Sequence, residues 1–369
     1  MNKLGLSLFL ITILLSFIGI FILYESSTYA ATLNIGDKYF FVKYQSIWLT
    51  LGIILCFAVS RFNYKNYYKF ALPALIVTLF LLLAVFLPGI GLKLKGAHRW
   101  LNLGFMVLQP SEIMKITLTI YLAAWLSIKE KGRVFAFLIL LAISALLVII
   151  EPDMGTAFII ASASTIVYFL SGASIRDLAV IFFLVIVGMG LLVKLEPYRI
   201  QRLASFQNFD KKDLSTTSYH VKQVLISLGS GGLTGVGFGK SVQKYAYLPE
   251  NTTDSIFAIF SEEAGFVGSV ILLGIFFVQF LLGFVIAART QDMFGRLLAA
   301  GIISFIAIQT LINLASQVVL IPLTGIPLPF ISYGGSSLII NFVSIGILLN
   351  IARNKHTNTK NLNKHLRRR

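Results

Sequence analysis

Cysteine, histidine and acidic residues are all scarce in this chain. Its 369 residues include one Cys, four His and 15 Asp plus Glu. Cys56 alone excludes a disulfide within the chain, and no spacing of Cys and His indicates a metal site. Because carboxylates are so few, those that gather beside an apolar helix are candidate functional groups.

Charged residues of either sign are also rare, at 12% of the chain, whereas 57% of the residues are hydrophobic and the mean hydropathy is +0.85. One soluble core cannot bury so much apolar surface, so the chain is predicted to be an all-α, polytopic membrane protein. A membrane-spanning helix needs about 20 apolar residues. Ten segments are predicted to be spans: 4–24, 46–60, 70–88, 109–127, 134–150, 154–170, 176–195, 262–288, 297–320 and 334–352.

The distribution of Lys and Arg predicts the orientation of these spans. With the N-terminus inside, the inner loops and the C-terminal tail are richer in Lys and Arg than the short outer loops, so both termini are predicted to be cytoplasmic. Residues 1–352 then form one transmembrane domain with a long outer loop at 196–255, and residues 353–369 form a basic cytoplasmic tail. The net charge of +16 reflects this topology and a tail suited to anionic lipid, so no nucleic-acid partner is predicted.

Asp254 is the central candidate residue. It lies in the segment 247–268, which gathers one Asp and three Glu at the start of an apolar helix. One interpretation is that Asp254 only caps the helix, since Asp is a favoured N-cap residue. The other is that Asp254 is a general base.

A charged pair, Glu112 and Lys115, is predicted to lie inside the fourth span. Pro110 opens that helix, and a spacing of three residues puts both charges on one face. Intramembrane charges are costly and by default mark a functional site, with a structural ion pair as the alternative. Arg99, next to Trp100 in the preceding loop, is either a functional cation or a membrane-interface anchor.

The long outer loop is rich in cations and glycine. Arg199, Arg202, Lys240 and Lys244 are its candidates for holding a pyrophosphate or a sugar. Its run GSGGLTGVGFGKS is not a nucleotide-binding P-loop, because GxxxxGK[ST] requires glycine at position 234, where Thr234 stands. These glycines are predicted to form a re-entrant or closely packed turn against a neighbour or ligand.

The segment 322–335 contains three prolines and three glycines, and it interrupts the last two spans. Its free backbone groups must pair within protein or water, so the segment is predicted to line a cavity rather than to face lipid. Four nearby amides are candidates for hydrogen bonds across helices, with simple interhelical packing as the alternative for each: Gln309, Asn313, Gln317 and Asn341.

Several of these motifs together resemble the signature blocks of the SEDS family, which includes FtsW, RodA and SpoVE. They occur in family order: GAHRWLNLG, QPSEIMK, EPDMGT, YRIQRLASF, the run from SLGSGG to GFVG, and PLTGIPLPFISYGGSS. PGIG and YRIQRL are more similar to the FtsW branch. The chain departs from the family pattern at Glu151, at Asn251 and Thr252, and at Ala315 and Ser316, which bears on substrate positioning more than on the reaction.

The resemblance implies a peptidoglycan glycosyltransferase that polymerises lipid II into glycan strands, by inverting transfer, at the outer face of the cytoplasmic membrane. It implies a class B penicillin-binding protein as transpeptidase partner, within a division or elongation complex. Asp254 matches the family's catalytic acid. The candidate substrate-binding residues are Arg99, Glu112, Lys115, Arg199, Arg202, Lys240, Lys244 and Glu250. No cofactor is required by the sequence, and Mg²⁺ or Mn²⁺ is an optional addition.

Two other functions are alternatives. Ten spans also suit a flippase for lipid-linked oligosaccharides, and a noncatalytic scaffold for a partner synthase is a third hypothesis. Transporters place polar groups near the bilayer midplane and contain inverted repeats. This sequence contains no convincing repeat, and its charges gather toward one leaflet, which favours an interfacial enzyme. An intact Asp254 argues against the scaffold.

Overall fold

The computed structural model describes residues 2–94, 96–104, 106–128, 132–195, 200, 216–245 and 247–366. Within these ranges the chain is almost entirely helical. The helices are α1 Lys3–Ile35, α2 Phe40–Arg61, α3 Tyr67–Ala84, α4 Pro110–Leu126, α5 Val134–Ile150, α6 Met154–Leu170, α7 Ile175–Leu195, α8 Thr216–Gly231, α9 Ile256–Arg289, α10 Met293–Gln317 and α11 Gly335–Leu366. A short 3₁₀ turn, Tyr64–Asn66, precedes α3.

Each of the ten predicted spans coincides with one of these helices, which confirms the polytopic all-α fold. Six helical segments of the described chain are long and apolar enough to cross a bilayer: α1, α2, α3 with its preceding turn, α9, α10 and the first part of α11. The exact number of ten spans stays a prediction. α1 continues to Ile35, well past its predicted end at residue 24, and stops at Gly36, whose φ of 82° is left-handed.

α10 is the central helix of the bundle. In its most apolar stretch 89% of the residues are buried, whereas the corresponding value is 22% for α2 and for α3. A helix that is apolar all round is either enclosed by protein or surrounded by lipid. α10 is the enclosed kind, packed against α4, α6 and α9, while α2 and α3 present apolar side chains outward.

α2 and α11 pack together at backbone distance. A Cβ atom added to Gly346 of α11 would lie 2.6 Å from the carbonyl oxygen of Cys56 in α2. Small residues allow this approach in membrane-helix pairs, where close packing rather than the hydrophobic effect drives association.

The two ends of the bundle carry different parts of the chain. The Asn2 side-chain amide donates to the Ala352 carbonyl at 2.9 Å, so the start of α1 and the membrane-spanning part of α11 share one end. The Tyr64 hydroxyl donates to Asp292 at 2.5 Å, which brings the α9–α10 connection to the α2–α3 turn. The part of α9 after Gly265 is about 36 Å long, more than the hydrocarbon thickness of about 30 Å. Tyr64 N–H also donates to the Asn350 side chain of α11 at 2.9 Å, so the end of α9 lies with Asn2 and Ala352. The start of α9 therefore lies at the opposite end.

Two regions predicted as loops contain regular structure. Residues between α3 and α4 form an antiparallel sheet in the order β1 Gly91–Leu94, β2 Ala97–Asn102 and β3 Val107–Leu108. In the long loop that is predicted to be outer, α8 packs against α9 through apolar residues spaced three to four apart, including Val224 and Leu228. Neither segment is apolar enough to resemble a span, so hydropathy alone missed both. Residues 196–199 and 201–215 of that loop lie outside the described part.

Candidate active site at the start of α9

A tight turn carries Asp254 to the start of α9. The Glu250 carbonyl accepts hydrogen bonds from the backbone N–H groups of Thr253 and Ser255, both at 3.1 Å. Glu250 itself has a positive φ of 52°, a conformation that is uncommon outside glycine. α9 begins at Ile256, with Ser255 in the N-cap position. Asp254 therefore precedes the cap position rather than occupying it.

The backbone on both sides of Asp254 is held by groups from elsewhere in the chain. The Asn313 side-chain amide donates to the Asp254 carbonyl at 3.0 Å and to the Ile326 carbonyl at 2.7 Å. The Ser332 hydroxyl donates to the Thr253 carbonyl at 2.5 Å. A Cβ atom on Gly325 would lie 3.5 Å from the Asp254 carboxylate, which is half-buried. The carboxylate thus lies against the backbone of the segment that follows α10.

That segment, residues 318–334, is non-helical and pairs many of its polar groups within the protein. Besides the bonds above, Tyr333 N–H donates to the Thr252 carbonyl at 3.0 Å. The Gln45 side chain of α2 donates to the Ser332 carbonyl and accepts from Gly334 N–H, at 3.0 and 3.3 Å. The predicted break is therefore present, and it faces protein, as irregular backbone at membrane depth must.

The glycine-rich run packs against a second irregularity, inside α9. Gly265 has φ 67° and ψ −168°, which interrupts the helix. Val236 and Gly237 N–H donate to the carbonyls of Glu262 and Glu263, at 3.0 and 3.1 Å. A Cβ atom on Gly265 would lie 2.2 Å from the Gly235 nitrogen. The predicted close approach of this run to a neighbour is confirmed, and the neighbour is the interrupted helix.

Lys244 is held between two carboxylates. Its ammonium lies 3.2 Å from Glu25 of α1 and 3.4 Å from Glu263 of α9. Sequence reasoning missed Glu25, which falls one residue beyond the predicted end of the first span, and it assigned no role to Glu263. Lys240, four residues before Lys244, is exposed. Of these two lysines, Lys240 is thus the one whose ammonium faces solvent.

Glu112 and Lys115 form an ion pair in the interior of the bundle. Their charged atoms are 2.8 Å apart, and the two side chains are only 4% and 1% exposed. The Lys115 ammonium also donates to the Gln309 side chain at 2.6 Å, and Gln309 donates to the Pro327 carbonyl at 3.0 Å. The pair is therefore connected to the Asp254 turn through α10, on which Gln309 lies one helical turn from Asn313.

Arg99 holds the connection between α5 and α6. Its guanidinium donates to the Glu151 carbonyl at 2.9 Å and to the Pro152 carbonyl. The Glu151 carboxyl is fully buried, and neither oxygen has a hydrogen-bond partner within the described chain. Burial, reinforced by the nearby Asp153 charge, raises the pKa of Glu151 to about 9. Asp153 caps α6 by accepting from Thr156 N–H at 3.1 Å.

The candidate residues therefore fall into separate places. Asp254, Glu250, Lys240 and Lys244 lie on one stretch before α9, whereas Glu112 and Lys115 lie in the core and Arg99 lies beside the α5–α6 turn. Arg199 and Arg202 lie outside the described residues. Among the residues that the structure describes, no three His, Cys, Asp or Glu side chains are grouped so as to hold a metal ion.

Comparisons with known proteins match nearly the whole chain. The FtsW, RodA and SpoVE family model, described as "Cell cycle protein", matches residues 6–357. Stage V sporulation protein E of Bacillus subtilis (strain 168) is 38% identical over 354 residues, which cover 94% of this chain and 96% of the relative. The probable peptidoglycan glycosyltransferase FtsW of Trichlorobacter lovleyi is 36% identical over 362 residues, covering 94% and 92%.

Solved structures share the fold as well. A chain of a peptidoglycan synthase complex, described under "Structural coordination of polymerization and crosslinking", superposes with a TM-score of 0.79 at 25% identity, covering 95% of this chain and 97% of that one. The rod shape determining protein RodA of Thermus thermophilus superposes with a TM-score of 0.70 at 26% identity, covering 95% and 96%.

Proposed function

We infer the function from family membership: the chain belongs to the FtsW, RodA and SpoVE family of cell cycle proteins. It is a peptidoglycan glycosyltransferase of the SEDS type, embedded in the membrane by multiple helices. Its substrate is lipid II, and its product is a glycan strand. The observation that carries this proposal is agreement over nearly the full chain in both sequence and fold.

The reaction is proposed to occur at the outer membrane surface. Asn2 and Ala352 meet at one end of the bundle, and Asp254 lies at the other. The positive-inside distribution of Lys and Arg supports cytoplasmic termini. Asp254 then faces the outside, where the headgroup of a lipid-linked sugar lies in the interface.

Asp254 is proposed to be the general base. Transfer from a polyprenyl pyrophosphate starts with a good leaving group, so the protein needs chiefly a base for the acceptor hydroxyl proton and donors for the pyrophosphate. Bonds from Asn313, and from Ser332 to the preceding carbonyl, fix the backbone at Asp254. Such a preorganised base holds the hydroxyl in line with the anomeric carbon, and one inverting displacement suffices.

The pyrophosphate is proposed to lie near Lys240, the exposed lysine of the glycine-rich run. Arg199 and Arg202 are retained as further candidates, and Glu250 is retained because its carbonyl closes the Asp254 turn. Lys244, Glu112, Lys115 and Arg99 support the site indirectly, since each is bound to other protein groups. A divalent cation would add positive charge beside the pyrophosphate.

The partner is proposed to be a class B penicillin-binding protein that cross-links the strands, because the structural neighbour comes from a complex that joins polymerisation and crosslinking. The whole assembly would act in division or elongation.

Strand synthesis from purified lipid II, in detergent, tests the function. A detergent micelle has no two leaflets between which a lipid could be moved, so a flippase yields no polymer there. A polymerase yields glycan ladders on a gel. Each reaction is run with the chain alone, with the partner, and with the partner plus a chain carrying Asp254→Asn. Loss of polymer when the variant replaces the wild-type chain in the complex supports the enzyme. Equal polymer from both complexes would remove Asp254 from the role of base. Adding EDTA and then Mg²⁺ or Mn²⁺ tests the cation.

A further inference from the structure

His220 on α8 contacts the residue that follows Asp254. Its Nε2 atom lies 2.7 Å from the Ser255 hydroxyl, and Ser255 is fully buried. We propose that His220 is a positioning residue: by bonding Ser255, it keeps the neighbouring Asp254 in its orientation. This inference rests on the proposed function and adds to it a residue of the long outer loop.

The packing of α8 keeps His220 in place. His220, Val224 and Leu228 are spaced by four residues, so they lie on one face of the helix. Val224 and Leu228 pack with Ala258 and Ile259 in the first turn of α9. An apolar contact therefore aligns α8 over the start of α9, and His220 lies on the face that meets Ser255.

Ser255 is in the N-cap position, yet its side chain makes no capping hydrogen bond. A serine there would ordinarily accept from an N–H group of the first helical turn. In this structure the hydroxyl bonds His220 instead. Ser255 has φ −100° and ψ 12°, whereas a capping residue has an extended backbone. Without His220 the hydroxyl can cap α9 only if the Ser255 backbone changes, and that change shifts the adjoining peptides.

Two other hydrogen bonds hold the main chain around the peptide that joins Asp254 to Ser255. The Asp254 carbonyl accepts from Asn313, and Ser255 N–H donates to the Glu250 carbonyl. These bonds restrain the main chain on two sides, and the His220 contact restrains it on the third. A base displaced by about 1 Å loses on the order of 100-fold in rate, so a partial shift is expected to cost about tenfold.

Four variants of the full chain, in complex with its transpeptidase partner, test the proposal: His220→Ala, His220→Gln, Ser255→Ala and the His220→Ala, Ser255→Ala double variant. We expect His220→Ala to lower kcat for strand synthesis about tenfold, with KM for lipid II little changed. His220→Gln keeps a hydrogen-bonding group and should recover most of the rate. The double variant should be no slower than the slower single variant, because both remove one contact. Lys222→Ala, on the exposed face of α8, is the matched control.

Losses that multiply in the double variant, or a change confined to KM, would overturn the proposal. Hydrogen exchange provides a readout that needs no activity. The Ser255 amide should exchange faster in His220→Ala than in wild type or Lys222→Ala, since its turn is less restrained. Unchanged exchange refutes the positioning role even if the wild type makes no polymer, whereas absent polymer with altered exchange refutes only the proposed function.

Discussion

The α4 ion pair and the Asp254 turn place carboxylates in the same membrane protein in different ways. Glu112 is almost fully buried beside Lys115 of the same helix, and Lys115 also donates to Gln309, which joins α4 to α10. Asp254 is half-buried, and its main-chain carbonyl takes the bond from Asn313. The comparison teaches that the Glu112 charge is enclosed and held by side-chain contacts, whereas Asp254, the proposed base, is half-buried and is held through its main chain.

The largest expected effect is on activity, at Asp254. Asp254→Asn should lower strand synthesis about 1,000-fold, because general-base catalysis contributes about 100- to 10,000-fold. The melting temperature in detergent should stay near the wild-type value, since the backbone contacts remain. Polymerisation rate and thermal unfolding are measured on the same preparation.

Asp37→Asn is the control for that experiment. Asp37 follows α1 at the same end of the bundle and pairs with Lys43 at 2.7 Å on the surface. Its loss should leave the rate unchanged. A wild-type rate from Asp254→Asn would make Asp254 structural. A large fall in the melting temperature of this variant would contradict the proposed difference between Asp254 and the Glu112–Lys115 pair of α4.

Breaking the α4 pair should instead cost stability. Lys115→Ala leaves Glu112 buried without its cation, which is expected to lower the free energy of unfolding by about 3 kcal/mol. Replacing both residues by Met removes both charges and should restore most of the loss, because no uncompensated charge remains. Thermal unfolding of the three proteins checks this. A double variant as unstable as Lys115→Ala would show that the loss of stability does not come from the uncompensated charge of Glu112.

Gly265→Ala should lower the free energy of unfolding by about 2 kcal/mol. Its φ of 67° with ψ near 180° is a conformation almost confined to glycine, and the new Cβ atom would meet the Gly235 nitrogen. Gly274→Ala, in the same helix, has no atom within 4 Å of the new Cβ atom and should be neutral or stabilising. Equal melting temperatures for the two variants would contradict the tight packing at the interruption of α9.

The effect expected at Glu151 is a gain in stability whose size depends on pH. Because the folded chain keeps this proton to about pH 9, while the unfolded chain releases it near the ordinary value of 4.5, stability falls as pH rises through that window. Glu151→Gln removes the titration and should raise the free energy of unfolding at pH 8, with a several-fold smaller gain at pH 5. Thermal unfolding at both pH values measures the difference. A gain that is the same at both would show that Glu151 is ionised in the folded chain.

Local patterns were sufficient for the helices and for several motifs. Each predicted apolar run falls on a helix, Pro110 marked the start of α4, and three-residue spacing paired Glu112 with Lys115. The same approach missed α8, whose apolar face is only a stripe, and the small sheet before α4. It also assigned Lys244 to a ligand, since nothing near Lys244 in sequence reveals Glu25, more than 200 positions earlier.

The sequence by itself determined that this chain is a membrane protein of the SEDS family, because hydropathy and motif order are properties of consecutive residues. Only the tertiary structure decided which charges are enclosed and which side chains hold the Asp254 turn. Asn313 reaches Asp254, and His220 reaches Ser255, across 59 and 35 positions. Such contacts depend on how helices pack in three dimensions, and that packing is the sum of many distant interactions rather than of any local pattern.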